Sequence, residues 1–187
     1  MVTRREDGAE VRPFESVDEY GRMIDYFLDA DERFLRGMGV DPARMPARAA
    51  WLESVLADHD APDDRKDRLY VAWLLRGELV GHSSLSHIVP GREAHFHLHL
   101  WRPDLRGRGL GSIFVARSLD LYFERYELER ILSEPFAGNA APNGLLRRMG
   151  FRFLRRHSTV PTNISLEQEV DRYEMTREAW AERNLDR

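Results

Sequence analysis

The chain contains no cysteine. That excludes disulfides, a thiol nucleophile and thiolate metal sites, and leaves the redox compartment open. It has one lysine, Lys66, so its positive charge rests on arginine. Positive charge is not in excess: 28 Lys and Arg against 32 Asp and Glu leave a net charge of −4 at pH 7. No global positive field therefore recruits nucleic acid or an anionic membrane. No run is apolar enough to span a bilayer, and Met1 to Asp7 lacks an apolar signal core. Internal repeats and low-complexity runs are also missing. What remains is 187 residues, 42% hydrophobic and 10% aromatic. The expectation is one folded domain with a sizeable core, soluble and cytoplasmic, rather than a disordered tail or a fibre.

Residues 1–10 read as a frayed polar terminus. Ser16-Val17-Asp18-Glu19 has the capping-box pattern, and Val17, Tyr20, Ile24, Phe27 and Leu28 share one face at helical spacing. A helix is expected from Ser16 to Asp29 and another from Pro46 to Ala57, separated by Gly37, Gly39 and Pro42. Asp58 to Asp67 reads as a solvated acidic connection, or as an acidic rim that draws a cationic substrate. Strands are expected at 69–75, 79–85 and 94–100, joined by turns at Arg76-Gly77-Glu78 and Pro90-Gly91. In the third, period 2 puts His95, His97 and His99 on one face and Phe96, Leu98 and Leu100 on the other. A helix at 112–126, a strand at 130–133, a helix at 140–149 stopped by Gly150, and strands at 151–159 and 170–176 complete the order. Hairpins followed by strand–helix–strand–helix and two closing strands describe a mixed α+β or α/β sheet.

The segment Arg106-Gly107-Arg108-Gly109-Leu110-Gly111-Ser112 lies between a strand and a helix. Glycines there let backbone N–H groups approach an anion, and the free N–H groups of the next helix point the same way. No Gly-Lys-Ser/Thr follows, so this is not a Walker loop, and the preceding hairpins do not fit a dinucleotide fingerprint. With Arg106, Gly109 and Gly111 it resembles the Arg/Gln-x-x-Gly-x-Gly/Ala loop of the GNAT superfamily of N-acetyltransferases. A second block, Asn139 through Met149-Gly150-Phe151, is similar to that superfamily's Asn, helix, Gly-Phe pattern. The resemblance covers Leu69 to Thr176. It implies a splayed mixed sheet flanked by helices, with acetyl-CoA held where two parallel strands part. It also implies direct transfer of acetyl to a primary amine of a small molecule or a protein N-terminus. Backbone groups at Leu98, His99 and Leu100 would bond the pantetheine arm. Arg106, Gly107, Arg108, Gly109, Leu110, Gly111 and Ser112 would hold the pyrophosphate, and Asn139 and Asn143 would approach the pantetheine or thioester. A homodimer is compatible with the resemblance.

Amine acetylation needs a proton acceptor, a donor for the oxyanion and, for the departing thiolate, a proton. A backbone N–H near the end of the histidine strand is the expected oxyanion donor. Glu134, five residues before Asn139, has the spacing of the base in the ribosomal-protein branch; it reads equally as a salt-bridged strand-end carboxylate. His97 and His99 are the alternative bases, since an unperturbed imidazole titrates near neutrality. Either also reads as a packed polar residue. The tyrosine that many relatives carry before Gly-Phe is Leu146 here, leaving Asn143, Ser133, Tyr122 or water as proton source. His95, His97 and His99 could also share a metal. Strand residues two apart sit about 6.5 Å apart, however, and no carboxylate is evident on that face, so no metal is expected. Arg147, Arg148, Arg152, Arg155 and Arg156 read as a solvated patch from which one arginine reaches the CoA 3′-phosphate. Trp51 and Trp73 read as core, and Trp101 as a wall of the cleft. An acyl-CoA sensor without turnover and a histidine-rich metal-binding domain are the competing functions.

Overall fold

The structure, a computed structural model, describes residues 8–185; residues 1–7, part of the expected frayed terminus, lie outside it. Ala9 and Glu10 are not frayed. They open strand β1 (Ala9–Pro13), which pairs antiparallel with β2 (Leu69–Leu75). Between them come α1 (Val17–Leu28), α2 (Glu32–Gly37) and α3 (Arg48–Asp60). Then follow β3 (Glu78–Val89), β4 (Glu93–Leu100), α4 (Leu110–Tyr126), β5 (Arg130–Ser133) and α5 (Ala140–Arg148). β6 (Arg152–Thr159), β7 (Gln168–Thr176) and α6 (Arg177–Leu185) end the chain. The seven strands form one sheet in the order β1-β2-β3-β4-β5-β7-β6. All neighbours are antiparallel except β4 and β5.

Ser16 caps α1 by accepting the Glu19 N–H at 3.3 Å. The reciprocal bond is shifted by one residue: the Glu19 carboxylate takes the N–H of Glu15 at 2.7 Å and pairs with Arg12 at 2.6 Å. That fastens α1 to β1. Tyr20, Met23, Ile24 and Phe27 are buried, whereas Val17, expected on the same face, is 55% exposed because it starts the helix before the face turns inward. These helices pack on one side of the sheet with Leu35, Val55, Ala72 and Leu74. On the other side α4 buries Phe114, Leu119, Tyr122 and Phe123 against Val71, Trp73 and Phe96. The 58–67 stretch is not a plain solvated linker. α3 continues to Asp60, and Lys66 is buried, with its ammonium donating to the carbonyls of His59 and Ala61.

The feature that matters for function is where β4 and β5 part. They are paired only over Glu93–His95 and Arg130–Leu132. The last link is the Ser133 hydroxyl, which donates to the Phe96 carbonyl at 2.9 Å. Pro135 removes a donor and restricts Glu134. The chain then follows β7 instead of β4: Asp171 N–H bonds Pro135 O at 3.1 Å, and Ala137 N–H bonds Glu169 O at 2.9 Å. One strand is thus led away from its neighbour, and a gap opens beyond His95.

Candidate active site

A cleft of about 1020 Å³ runs through that gap. At one end lies the glycine turn. Gly107 and Gly109 have φ of +72° and +80°, a left-handed conformation that side chains disfavour. Nothing lies within 4 Å of where a Cβ would stand on either. Gly109 is the N-cap of α4 and offers no side-chain cap; its carbonyl takes the Ser112 N–H at 3.0 Å, which leaves the N–H groups of Leu110 and Gly111 for a ligand. Gly107, Gly109, Gly111 and Ser112 line the cleft, as do Asn139 and Arg148. A glycine turn at a helix start has the geometry to receive phosphate oxygens.

Along the middle, the edge of β4 is unpaired. Phe96 turns its carbonyl toward β5, so by strand alternation Leu98 and Leu100 direct theirs to the same side. Leu98 therefore presents an N–H and a C=O to the gap. His99 does not. Its backbone groups face β3, where it pairs with His82, so the expected role for its backbone is corrected. Leu100 O is taken by the Arg106 guanidinium at 3.0 Å, which also lies 5.3 Å over Phe34. Arg106 thus ties α2 to β4. Arg108, Leu110 and Asn143 do not line the cleft. The Asn143 amide is spent on Phe136 O at 2.9 Å and Asn139 O at 2.7 Å, bracing the start of α5.

At the far end the histidine face meets Glu134. His95, His97 and His99 stand opposite Ser86, Ser84 and His82 on β3. His97 Nε2 lies 2.9 Å from the Ser86 hydroxyl. Burial pushes the His97 ring down to about 3, helped by His99, and pushes His99 down to about 4, helped by Arg106. His82 goes the same way from burial, and its Nδ1 accepts the Trp101 indole N–H at 2.9 Å. All three rings are neutral at neutral pH, so His97 and His99 are much weaker bases than an unperturbed imidazole. Glu134 lines the cleft with its side chain 9% exposed. One oxygen is 3.3 Å from His157 and 3.4 Å from Arg172, the other 4.0 Å from His95. A carboxylate does therefore reach the histidine face, from β5 rather than β4. Among the described residues, no group of three or more His, Asp or Glu is arranged to hold a metal.

Leu146 is fully buried in the core, so no hydroxyl stands at that position. Tyr122 cannot replace it. It is fully buried, its hydroxyl 2.9 Å from Ser83 in a knot that also binds Trp73 and Ser118. Ser133 does line the cleft. Trp73 is fully buried core as expected; Trp51 packs on the core 5.5 Å from Phe27 but is only half-buried, and both rings border the cleft. Trp101 stands one layer back, stacked on Tyr26 at 5.9 Å. Arg152 and Arg156 are exposed, as expected of a solvated patch, and pair with Glu174 and Asp171, while Arg148 lines the cleft. Sequence reasoning missed Arg172 and His157 as partners of Glu134, and Tyr26 as a wall. Nothing local in the sequence marks them, since each lies far along the chain from what it touches.

A splayed parallel pair, with a phosphate cradle at one end and a carboxylate pocket at the other, defines a group-transfer site for a long, phosphorylated donor. Comparison with known proteins agrees. The acetyltransferase (GNAT) domain family matches residues 10–152. A spermidine N-acetyltransferase from Vibrio cholerae, solved with CoA and spermine, is 20% identical over 93% of this chain and 98% of its own, with TM-score 0.72. An aminoglycoside acetyltransferase solved with coenzyme A is 16% identical over 94% and 99%, with TM-score 0.70. A ribosomal-protein alanine acetyltransferase from Vibrio fischeri is 16% identical over 96% and 99%, with TM-score 0.72. No curated protein matches the chain. The chain belongs to the GNAT family and is an acetyl-CoA-dependent N-acetyltransferase.

Proposed function

We propose that the protein acetylates a primary amine that enters the cleft from the Glu134 end, while acetyl-CoA enters from the glycine turn. The observation that carries this is the single continuous cleft joining both ends through the gap between β4 and β5. Acetyl-CoA supplies an activated thioester carbonyl. The chain's own residues do the rest. N–H groups of the Gly107–Ser112 turn receive the pyrophosphate, and Arg148 supplies positive charge at that end. The free N–H and C=O of Leu98 extend the sheet edge to the pantetheine amides and orient the arm. An N–H on this edge also faces the carbonyl oxygen as it gains charge.

Glu134 is the proton acceptor in this reading. It is the carboxylate at the far end, with His157 and Arg172 at 3.3 and 3.4 Å from one oxygen and the cleft beside it. His97 and His99, held neutral, shape the pocket and relay a proton only through water or Ser86. Transfer is direct: the amine nitrogen bonds the acetyl carbon, the C–S bond breaks, and coenzyme A leaves as a thiolate that takes its proton from water, so no covalent enzyme intermediate is needed. The fold relatives are described with spermidine, aminoglycosides and a ribosomal protein, all of which present amines. For this chain we take a primary amine as the acceptor class.

The test is coenzyme A binding by calorimetry combined with thiol release from acetyl-CoA against an amine panel. Saturable binding and amine-dependent thiol release are expected. Binding without release on any amine would contradict transfer and leave a sensor.

A further inference from the structure

We infer that the acceptor is a small monoamine with an apolar, aromatic body, recognised by Tyr26, Phe27, Trp51, Tyr70, His82 and His99. The inference rests on the acetyl transfer proposed above and adds the substrate class. Three observations carry it.

The first is the wall. Phe27 packs 5.0 Å from His99 and 5.5 Å from Trp51. Tyr26 meets His99 at 5.7 Å, and His82 stacks on His99 at 4.9 Å with an interplanar angle of 15°. All six rings line the cleft. Burial lowers the two imidazoles, so the wall is uncharged at neutral pH. It offers apolar area and ring faces, which suit an aromatic body and one passing ammonium.

The second is the charge. Among the described residues lining the cleft, Glu134 is the only carboxylate, and it already faces Arg172 and His157. Arg68, Arg106 and Arg148 also line the cleft. A polyamine or aminoglycoside brings further ammonium groups, and each would be desolvated here with no carboxylate to meet it. An unpaired buried charge is strongly disfavoured. One amine can be served; several cannot.

The third is the enclosure. The segment after α2 is tied to the loop before β7. Asp41 N–H bonds Ile164 O at 2.8 Å, and Leu166 N–H bonds Gly39 O at 3.1 Å. Arg44 donates to Ser165 O at 3.1 Å, and Gln168 to Gly39 O at 3.2 Å. Met38, Val40, Thr162 and Ile164 from these two segments line the cleft. They join the N-terminal helices to the β6–β7 hairpin and close one side of a half-open cleft of about 1020 Å³. That closed side narrows the approach of a folded protein's N-terminus and leaves room for a small molecule.

The experiment measures thiol release by the full chain with four acceptors: phenethylamine, spermidine, kanamycin, and a short peptide with a free N-terminal alanine. Coenzyme A affinity is measured in parallel. The expected kcat/KM for phenethylamine exceeds the other three by about tenfold or more. Trp51→Ala should raise the phenethylamine KM about tenfold while coenzyme A affinity holds, and Trp51→Phe should recover most of it. A preference for spermidine, kanamycin or the peptide overturns the inference and leaves acetyl transfer standing. An unchanged phenethylamine KM in Trp51→Ala also overturns it. If Trp51→Ala does not fold, the acceptor ranking of the unaltered protein and the Trp51→Phe variant still decide. Absence of thiol release with all four overturns both the inference and the transfer on which it rests.

Discussion

At the end of the cleft where we place the coenzyme, Gly107, Gly109, Gly111 and Ser112 form the lining from one short run at the start of α4. At the acceptor end the surface is made of side chains from α1, α3, β3 and β4, with Glu134 beyond β5 and the loop before β7. The first is local in sequence and indifferent to most side chains. The second is non-local and depends on each ring. A donor common to a whole family can be held by a short backbone motif. An acceptor that differs among members requires side chains drawn from across the chain.

The comparison is tested most severely at Glu134. Glu134→Gln keeps the shape and removes the basicity, so kcat should fall by about 10²–10⁴-fold while coenzyme A affinity barely changes. Steady-state kinetics with calorimetry checks it. If stability drops and kcat does not, the carboxylate is only a partner of Arg172. At the opposite end, Gly109→Val should do the reverse. A β-branched residue at φ +80° costs at least about 1–2 kcal/mol. A turn that shifts to relieve this strain misplaces its N–H groups, so coenzyme A affinity should fall about five- to thirtyfold in a folded protein. Gly111→Val should behave differently, because its Cβ would meet Leu145 at 3.3 Å. There the loss appears as a lower Tm.

A smaller effect concerns pH. His97 and His99 titrate near 6.5 when unfolded and at about 3 and about 4 when folded. Between those values the unfolded chain binds more protons, so their contribution is complete above pH 6.5 and is lost as pH falls toward 4. Urea midpoints at several pH values should show this decline, shallower in His97→Gln. An equal slope in both proteins would contradict the burial of that ring. The pH–rate profile should show no limb near 6.5 from either histidine. The smallest effect is at Ser133→Ala, which removes the last link between β4 and β5. It should cost about 0.5–1.5 kcal/mol of stability by denaturant unfolding.

The same contrast governs what the sequence discloses. The glycine turn, the histidine alternation and the strand at 130–133 are local patterns, and the fold keeps them where periodicity and turn chemistry put them. β1 escaped notice because Ala9 to Pro13 carries polar alternation that reads as a tail until β2 pairs with it. α2 is only six residues long and depends on the Asp31 side chain accepting the Phe34 N–H. Phe27 was legible as a buried position, but period 3.6 does not separate a core from a cleft wall. Trp51 was read as core for that reason. The pairing of Arg172 and His157 with Glu134, and the burial that makes His97 and His99 neutral, are tertiary facts with no local trace.

The central claim is that the gap between β4 and β5 receives the coenzyme through backbone groups. Hydrogen exchange of the full chain with and without acetyl-CoA tests it most directly. The amides of 107–111 have no strand partner and that of Leu98 has none on the gap side, so saturating acetyl-CoA should slow their exchange about tenfold or more. Amides of α3 at the acceptor end should be unaffected. Unchanged rates at both 107–111 and Leu98, with slowing confined to α3, would contradict this assignment of the two ends.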